Sequence, residues 1–133
     1  MGKVTSIIED QAYKVVLTSE SGNTIIADEP EELGGQDLGF SPKELLVSAL
    51  AACTSATLKM YASRKEWDLQ QVKISIDLDY DSASHKTKIQ RDLEFVGDLD
   101  KAQKDRLLQI ANRCPVHKIL ENTIAIETQY KDQ

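Results

Sequence analysis

Residues 41–66 read SPKELLVSALAACTSATLKMYASRKE, and this stretch decides the fold. Ser41 precedes Pro42, and Glu44 follows three residues after the serine, which is the pattern of a capping box with proline at the first helical position. The stretch predicts a helix of about seven turns that ends near Glu66. The reason is that apolar residues recur at helical spacing, namely Leu45, Leu46, Ala49, Leu50, Ala52, Cys53, Ala56 and Met60. Because small and apolar residues cover most of its sides, we expect this long helix to be buried at the centre of the fold.

Three short strand patterns precede the long helix, at residues 4–9, 13–18 and 24–27. Ser21-Gly22-Asn23 is a turn signal before the third pattern, so the three predict an antiparallel meander. Residues 28–40 are acidic and rich in turn-forming residues, and we expect them to be exposed.

Two longer strand patterns follow the helix. Apolar and polar residues alternate strictly over residues 72–80, and the returning strand over residues 89–95 follows a polar turn. One face of the returning strand carries Ile89, Arg91, Leu93 and Phe95. The two patterns predict a pair of long strands.

The remaining sequence predicts two helices and a last strand. A helix begins near Asp98 or Asp100 and ends at Cys114, because Pro115 breaks it. A short helix then runs to about Leu120, and residues 123–130 predict a closing strand. The predicted order is βββ–α–ββ–αα–β, which is an α+β fold, and we expect one domain over residues 1–133.

Composition and charge restrict the function classes. The chain has 133 residues, 41% of them hydrophobic and 29% charged, and a formal net charge of −6. Its basic residues are dispersed among acidic ones, which argues against binding nucleic acid. The longest apolar stretch, residues 45–52, is far shorter than the ~20 residues of a membrane span, and the first residues lack the apolar core of a signal peptide. We therefore expect a cytoplasmic protein that binds neither nucleic acid nor membrane.

The two cysteines, Cys53 and Cys114, are the candidate reactive groups. Two cysteines do not make a secreted disulfide framework, and unrelated buried thiols are the simplest interpretation. Cys53 lies in the middle of the long helix, where the helix dipole gives little help to a thiolate. Cys114 precedes Pro115 at the predicted N-cap of the third helix, and Arg113 and His117 flank it. Local physics therefore favours Cys114 as the activated thiol.

The two histidines add little to this picture. His117 could pair with Cys114 as a base, although covering the short helix is the simpler role. His85 lies in a polar turn, where we expect it to be solvated. Cys114 and His117 supply only two ligands for a metal, and nothing nearby completes a tetrahedral set, so we predict no metal site.

Two segments resemble hallmarks of the OsmC/Ohr family. Residues 41–53 are similar to the family's proline-started helix, which carries a cysteine eleven residues after the proline. Residues 111–120, ANRCPVHKIL, are similar to the family's Cys-Pro-Val-His segment, and Gly97-Asp98-Leu99 also fits. On these residues the chain is identified as a member of this family. The resemblance implies an OsmC-like fold and an intertwined homodimer, with the long helices at its centre and the site at the subunit interface.

The resemblance also implies a function. It implies a cysteine-based peroxidase, an oxidoreductase of the oxidative stress response that reduces organic hydroperoxides or hydrogen peroxide. Cys53 would be oxidised to a sulfenic acid, and Cys114 would resolve it as a disulfide. An external thiol or dithiol would be the reductant, and no bound cofactor is implied.

The chain departs from the family pattern beside the reactive cysteine. Peroxidase members place a Glu directly after the helix-starting proline and an Arg from the N-terminal strands around the sulfur. Here Lys43 follows the proline, Glu44 comes one position late, and no arginine precedes Arg64. The departure resembles the less characterised OsmC-like branch, with Lys43 or Arg113 as candidate replacement cations.

The departure at Lys43 keeps an alternative open, which is a non-catalytic OsmC-like protein that binds a small apolar ligand at the dimer interface. A general disulfide-exchange protein is the least favoured reading, because the chain has no Cys-x-x-Cys motif.

Overall fold

The computed structural model describes residues 2–132, and its elements form an α+β fold. The chain contains two compact units, which meet in sequence between Ser48 and Ala49. The order βββ–α–ββ–αα is the predicted one up to the last helix.

The first unit contains the antiparallel meander. Its strands are β1 (Val4–Ile8), β2 (Val15–Ser19) and β3 (Thr24–Ala27), and β2 lies between the other two. The turn before β3 contains Gly22, whose φ of 97° is a conformation that favours glycine. The predicted meander is therefore confirmed, with β3 at its predicted bounds and the bounds of β1 and β2 within two residues of the prediction.

Asp28 organises the segment after β3. Its side chain is only 2% exposed, so the expectation that the whole segment is exposed is wrong at this residue. The carboxylate accepts backbone N–H bonds from Glu29 at 2.8 Å and from Gln36 and Leu38 at 3.2 Å. Burial raises the pKa of Asp28, but these N–H donors outweigh it and hold the pKa below the ordinary value of 3.8. One ionised side chain thus binds backbone N–H groups that are spread over residues 29–38.

The residues just before the long helix lie beside β3. The N–H of Asp28 donates to the carbonyl of Phe40 at 3.1 Å, and Ala27 and Phe40 form an isolated parallel bridge. Gly39 allows this approach, since a Cβ there would lie 2.0 Å from the carbonyl oxygen of Ile26. The backbone contact therefore requires a residue without a side chain.

Helix α1 (Pro42–Lys65) forms as the capping pattern predicts. The N–H of Ser41 donates to Glu44 Oε1 at 2.8 Å, and the N–H of Glu44 donates to Ser41 Oγ at 3.3 Å, which is a reciprocal capping box. The helix ends where Glu66 adopts a left-handed φ of 59°.

One face of α1 is buried within this chain and the other is exposed. The buried residues recur at three- and four-residue spacing, namely Val47, Leu50, Thr54, Leu58 and Ala62. Outside this buried face, Leu46 is 44% exposed and Met60 is 58% exposed. The predicted homodimer would bury these exposed side chains against the partner subunit, and the dimer stays a prediction.

Within residues 2–132, α1 is the single helix that is long and apolar enough to cross a membrane by length and composition. The core helix of a soluble protein has the same composition, so this property alone does not place α1 in a bilayer.

The second unit contains a hairpin and two helices. Strands β4 (Asp68–Asp81) and β5 (Lys86–Asp98) pair antiparallel and are longer than the alternating patterns that predicted them. Helix α2 (Lys101–Ala111) begins with a capping box between Asp100 and Gln103, so Asp100 rather than Asp98 is its N-cap. Helix α3 (Pro115–Glu121) follows directly. The hydrophobic core of this unit comes from α1, β4 and α2, and its buried members are Leu58, Ala62, Leu69, Leu107, Ile110 and Ala111.

The strand predicted at residues 123–130 is not formed. The segment carries no secondary structure, and Ile124, Ile126 and Tyr130 are 54%, 84% and 88% exposed. An alternating pattern becomes a strand only when its backbone groups bond to a neighbour. No strand in the described part of the chain pairs with this segment, so its sequence pattern does not produce a strand here.

Candidate functional site

Both cysteines are free thiols, and both sulfurs lie at the first turn of α3. Cys53 Sγ, from α1, accepts the backbone N–H of Val116 at 3.5 Å. Cys114 Sγ accepts the backbone N–H of His117 at 3.3 Å. These donors belong to consecutive residues, so the fold brings together two thiols that are far apart in sequence.

The two thiols differ in their exposure. Cys53 is partly exposed, whereas Cys114 is 0% exposed. A dissolved reagent therefore reaches Cys53 more readily than Cys114 in this chain.

Cys114 is the N-cap of α3, as the sequence predicts. Its φ and ψ are extended, its sulfur accepts the N–H of the third helical residue, and Pro115 occupies the first helical position. The preceding helix α2 ends at Ala111, so Cys114 lies at the junction of two helices. Proline causes this junction because it cannot continue the hydrogen-bond ladder of α2.

Arg91, on β5, lies beside the thiol pair and was missed as a site residue. Its Nη1 donates to Thr54 Oγ1 at 2.8 Å. Its Nη2 is 3.0 Å from Asn112 Oδ1 and 3.1 Å from His117 Nδ1. One guanidinium thus connects α1, the end of α2 and α3.

The sequence carried a signal for Arg91. It lies in the alternating face of β5 with Ile89, Leu93 and Phe95, and all four are partly buried. A charged residue on an otherwise apolar face needs hydrogen-bond partners in the interior. The pattern could have identified Arg91 as unusual, but not the groups that it contacts.

Thr54 lies between Arg91 and Cys114. It is 0% exposed, and its hydroxyl donates to the carbonyl of Leu50 at 2.7 Å. The same oxygen accepts from Arg91 and is 3.7 Å from Cys114 Sγ. Since the hydroxyl proton is used by Leu50, the neutral Cys114 thiol is the donor in this last contact.

The ring of His117 is held on both sides. Arginine has no acceptor, so His117 Nδ1 must accept from Arg91. The proton of the neutral ring is then on Nε2, which donates to Glu121 Oε2 at 2.9 Å. The ring therefore contacts Arg91 and Glu121, while it is the backbone N–H of His117 that reaches the Cys114 sulfur.

The other predicted supporting residues are Lys43, Glu44 and Arg113. Lys43 and Glu44 are exposed at the first turn of α1, and the Glu44 carboxylate is bonded to the N–H of Ser41. Arg113 is also exposed. Within residues 2–132, the donor to the Cys53 sulfur is a backbone group rather than any of these side chains. The role of Lys43 or Arg113 as a replacement cation stays a prediction.

In the part of the chain that the structure describes, no three His, Cys, Asp or Glu side chains are grouped so that they could hold a metal ion.

A family model described as OsmC-like protein matches residues 34–129, which is well over half of the chain. A search of curated proteins finds no match.

Several solved structures have similar folds. An OsmC-like protein from Mycoplasma pneumoniae is 20% identical with a TM-score of 0.77, and the alignment covers 91% of this chain and 87% of that one. A Psychrobacter arcticus protein assigned to osmotic stress induction and the detoxification response is 24% identical with a TM-score of 0.75, covering 89% and 85%. The organic hydroperoxide resistance protein OhrB of Bacillus subtilis is 24% identical with a TM-score of 0.62, covering 90% and 89%. At these identities the likeness shows the fold alone.

Proposed function

This chain belongs to the OsmC-like protein family, and we propose that it is a thiol-dependent peroxidase that reduces organic hydroperoxides or hydrogen peroxide. Cys53 is the thiol that attacks the peroxide, and Cys114 is the thiol that resolves the product. The organic substrate class is drawn from the similar fold of the Bacillus subtilis hydroperoxide resistance protein.

The observation that carries the proposal is the convergence of two free thiols of unequal exposure. The attacking thiol must meet a dissolved substrate, and Cys53 is the partly exposed one. The resolving thiol needs to meet only its partner, and Cys114 is fully buried beside the same helix turn. Backbone N–H donors at both sulfurs stabilise negative charge there, as thiolate chemistry requires.

The first step oxidises Cys53. Its thiolate attacks the terminal oxygen of the hydroperoxide, an S–O bond forms and the O–O bond breaks. The alkoxide that leaves takes a proton and becomes the alcohol, and Cys53 becomes a sulfenic acid.

The later steps restore the thiols. The Cys114 sulfur attacks the Cys53 sulfur, the S–O bond breaks, and the oxygen leaves as water while a disulfide forms. An external dithiol then reduces the disulfide by exchange and becomes oxidised itself. Each cycle thus converts one hydroperoxide and one dithiol into an alcohol, water and an oxidised dithiol.

The test is a stoichiometric titration of the fully reduced protein with cumene hydroperoxide. We expect both free thiols of the wild-type chain to disappear after one equivalent, with an intramolecular disulfide seen by intact-mass analysis. Cys114→Ser should consume one equivalent and accumulate a sulfenic acid on Cys53, trapped with dimedone.

Cys53→Ser is the matched control, because it keeps the other thiol in place. It should consume no peroxide on the time scale of the wild-type reaction. Turnover in Cys53→Ser, or two unreacted thiols in the wild type after excess peroxide, would contradict the proposal.

A non-catalytic protein that binds a small apolar ligand is the second candidate. It is favoured by the lack, within residues 2–132, of a cationic side chain bonded to the Cys53 sulfur. Native mass spectrometry that finds a co-purifying apolar molecule, together with inert thiols in the titration, would support it.

We also propose that the protein is a cytoplasmic homodimer with its site at the subunit interface. Sedimentation analysis at several concentrations tests the dimer, and a monomer at all of them would contradict it.

A further inference from the structure

Arg91 hydrogen bonds to both residues that contact the Cys114 sulfur. Within residues 2–132, that sulfur hydrogen bonds to the hydroxyl of Thr54 and to the backbone N–H of His117. Arg91 hydrogen bonds to Thr54 through Nη1 and to the ring of His117 through Nη2. Its bond to Asn112 fixes the residue two positions before Cys114.

We propose that Arg91 is a positioning residue for Cys114 and sets the rate at which Cys114 attacks oxidised Cys53. It does not set the rate at which Cys53 attacks peroxide. This inference rests on the proposed function, and it assigns to β5 a role in the resolving step alone.

The separation of the two steps follows from the contacts. Within residues 2–132, the Cys53 sulfur receives its hydrogen bond from the backbone of Val116, whereas the hydrogen bonds of Arg91 go to Thr54, Asn112 and His117. The Thr54 hydroxyl instead connects the guanidinium to the Cys114 sulfur. A positive charge and a polarised donor at that place stabilise the sulfur as it gains negative charge before attack.

Thr54 can transmit this effect by rotation of its hydroxyl. In the neutral state the hydroxyl donates to the carbonyl of Leu50. That carbonyl also accepts the helical N–H four residues later, so it keeps a partner if the hydroxyl turns away. The hydroxyl can then donate to the Cys114 thiolate while its oxygen still accepts from Arg91, which strengthens the donor.

The resolving step is balanced as a condensation. Cys114 gives up its proton, its sulfur forms a bond to the Cys53 sulfur, and the S–O bond of the sulfenic acid breaks. The proton and the hydroxide leave together as water, so no further oxidant or reductant is needed.

The test uses single-turnover kinetics of Arg91→Met, which keeps much of the apolar stem and removes the guanidinium. We expect disulfide formation to slow about tenfold or more, the usual scale for losing a charged hydrogen-bond partner. Sulfenic acid on Cys53 should accumulate transiently, while its rate of formation stays within about twofold of wild type. A purely structural role for Arg91 would not divide the two steps in this way.

Lys88→Met is the matched control, because Lys88 is an exposed cation on the same strand. It should leave both steps unchanged. Arg91→Lys serves if Arg91→Met does not fold, since one ammonium cannot bridge Thr54 and His117 as the planar guanidinium does. We expect it to slow disulfide formation relative to wild type, while the rate of sulfenic acid formation on Cys53 stays unchanged.

Thr54→Val tests the path from Arg91 to Cys114. It should slow disulfide formation as well, and the double variant with Arg91→Met should be no slower than the slower single variant. Additive losses would overturn the Thr54 path. A normal resolving rate in Arg91→Met, or an equal loss in both steps, would overturn the role of Arg91.

A separate measurement distinguishes failure of this inference from failure of the proposed function. In Cys53→Ser chains, iodoacetamide should alkylate Cys114 more slowly when Arg91→Met is added and at an unchanged rate with Lys88→Met. If wild type does not react with peroxide but this difference is seen, the peroxidase proposal fails and the control of Cys114 by Arg91 stands. If wild type turns over and the difference is absent, this inference fails.

Discussion

Replacing Thr54 with valine removes one hydroxyl from the interior of the second unit and leaves the shape of the side chain almost unchanged. Thr54 is 0% exposed, so the neighbouring atoms cannot replace the hydroxyl with bulk water at that point. The variant therefore measures what the hydroxyl contributes to folding, apart from any cavity.

The expected cost comes mainly from Arg91. Hydrogen bonds to charged groups contribute about 1.5–3 kcal/mol, and Arg91 Nη1 loses its 2.8 Å acceptor. Arg91 is partly exposed and can recover some of this loss by binding water. The Leu50 carbonyl still accepts its helical N–H after the substitution. Loss of the hydrogen bond from the Thr54 hydroxyl to this carbonyl therefore costs little stability. We expect a net destabilisation of about 1–2 kcal/mol.

Urea unfolding measures this effect through the single tryptophan. Trp67 packs against the core of the second unit and lies edge-on to Tyr61 at 5.5 Å, so its fluorescence should report loss of that packing. Thr87→Val is the control, because it makes the same change at an exposed position of β5 and should stay within about 0.5 kcal/mol of wild type. A Thr54→Val chain as stable as wild type would refute the reasoning that the Arg91 bond stabilises the fold.

Three further variants, two of them paired with a control variant, test the fold. Leu107→Ala should lower the free energy of unfolding, measured in urea, by about 2–5 kcal/mol because Leu107 is 0% exposed. Leu108→Ala is the control and should cost far less, since Leu108 is 55% exposed. Equal losses in the two variants would contradict the assigned core. The folded pKa of Asp28 lies below its ordinary value, so its carboxylate stabilises the fold above pH ~4 and this contribution is lost as pH falls further. Asp28→Asn should therefore be less stable at neutral pH and show a weaker loss of stability in acid, followed by circular dichroism. Gly39→Ala should lower the melting temperature because its Cβ would meet a backbone carbonyl of β3, while Gly2→Ala, with open space around it, should leave the melting temperature unchanged.

The elements that the sequence predicted well depend on short-range patterns. The capping box at Ser41 and Glu44 fixes the start of α1 within four residues, and the apolar spacing after it fixes the buried face. Pro115 fixes the junction between α2 and α3 and places Cys114 at an N-cap. These signals act between residues that are close in the chain, so no knowledge of packing is needed to read them.

Residues 123–130 show where such a pattern is insufficient. Their alternation is typical of a strand, but Ile126 remains 84% exposed because nothing pairs with the segment in this chain. A helix satisfies its own backbone, whereas a strand requires a neighbour that its own sequence does not specify.

Arg91 shows the same limit at the site. The alternation of β5 placed it on the inward face, yet its bond to Thr54 joins residues 37 positions apart. The contacts that bring Cys53 to Val116 and Thr54 to Cys114 span 63 and 60 positions.

The sequence by itself determined the α+β class, helix α1 with its cap, and the two thiols with Cys114 at an N-cap. The tertiary structure decided that both sulfurs bind backbone N–H groups of one helix turn, that Cys114 rather than Cys53 is buried, and that Arg91 hydrogen bonds to the groups around Cys114. The physical reason is that hydrogen-bond partners and burial at the site come from α1, β5 and α3 together, and local spacing cannot specify how separate elements pack.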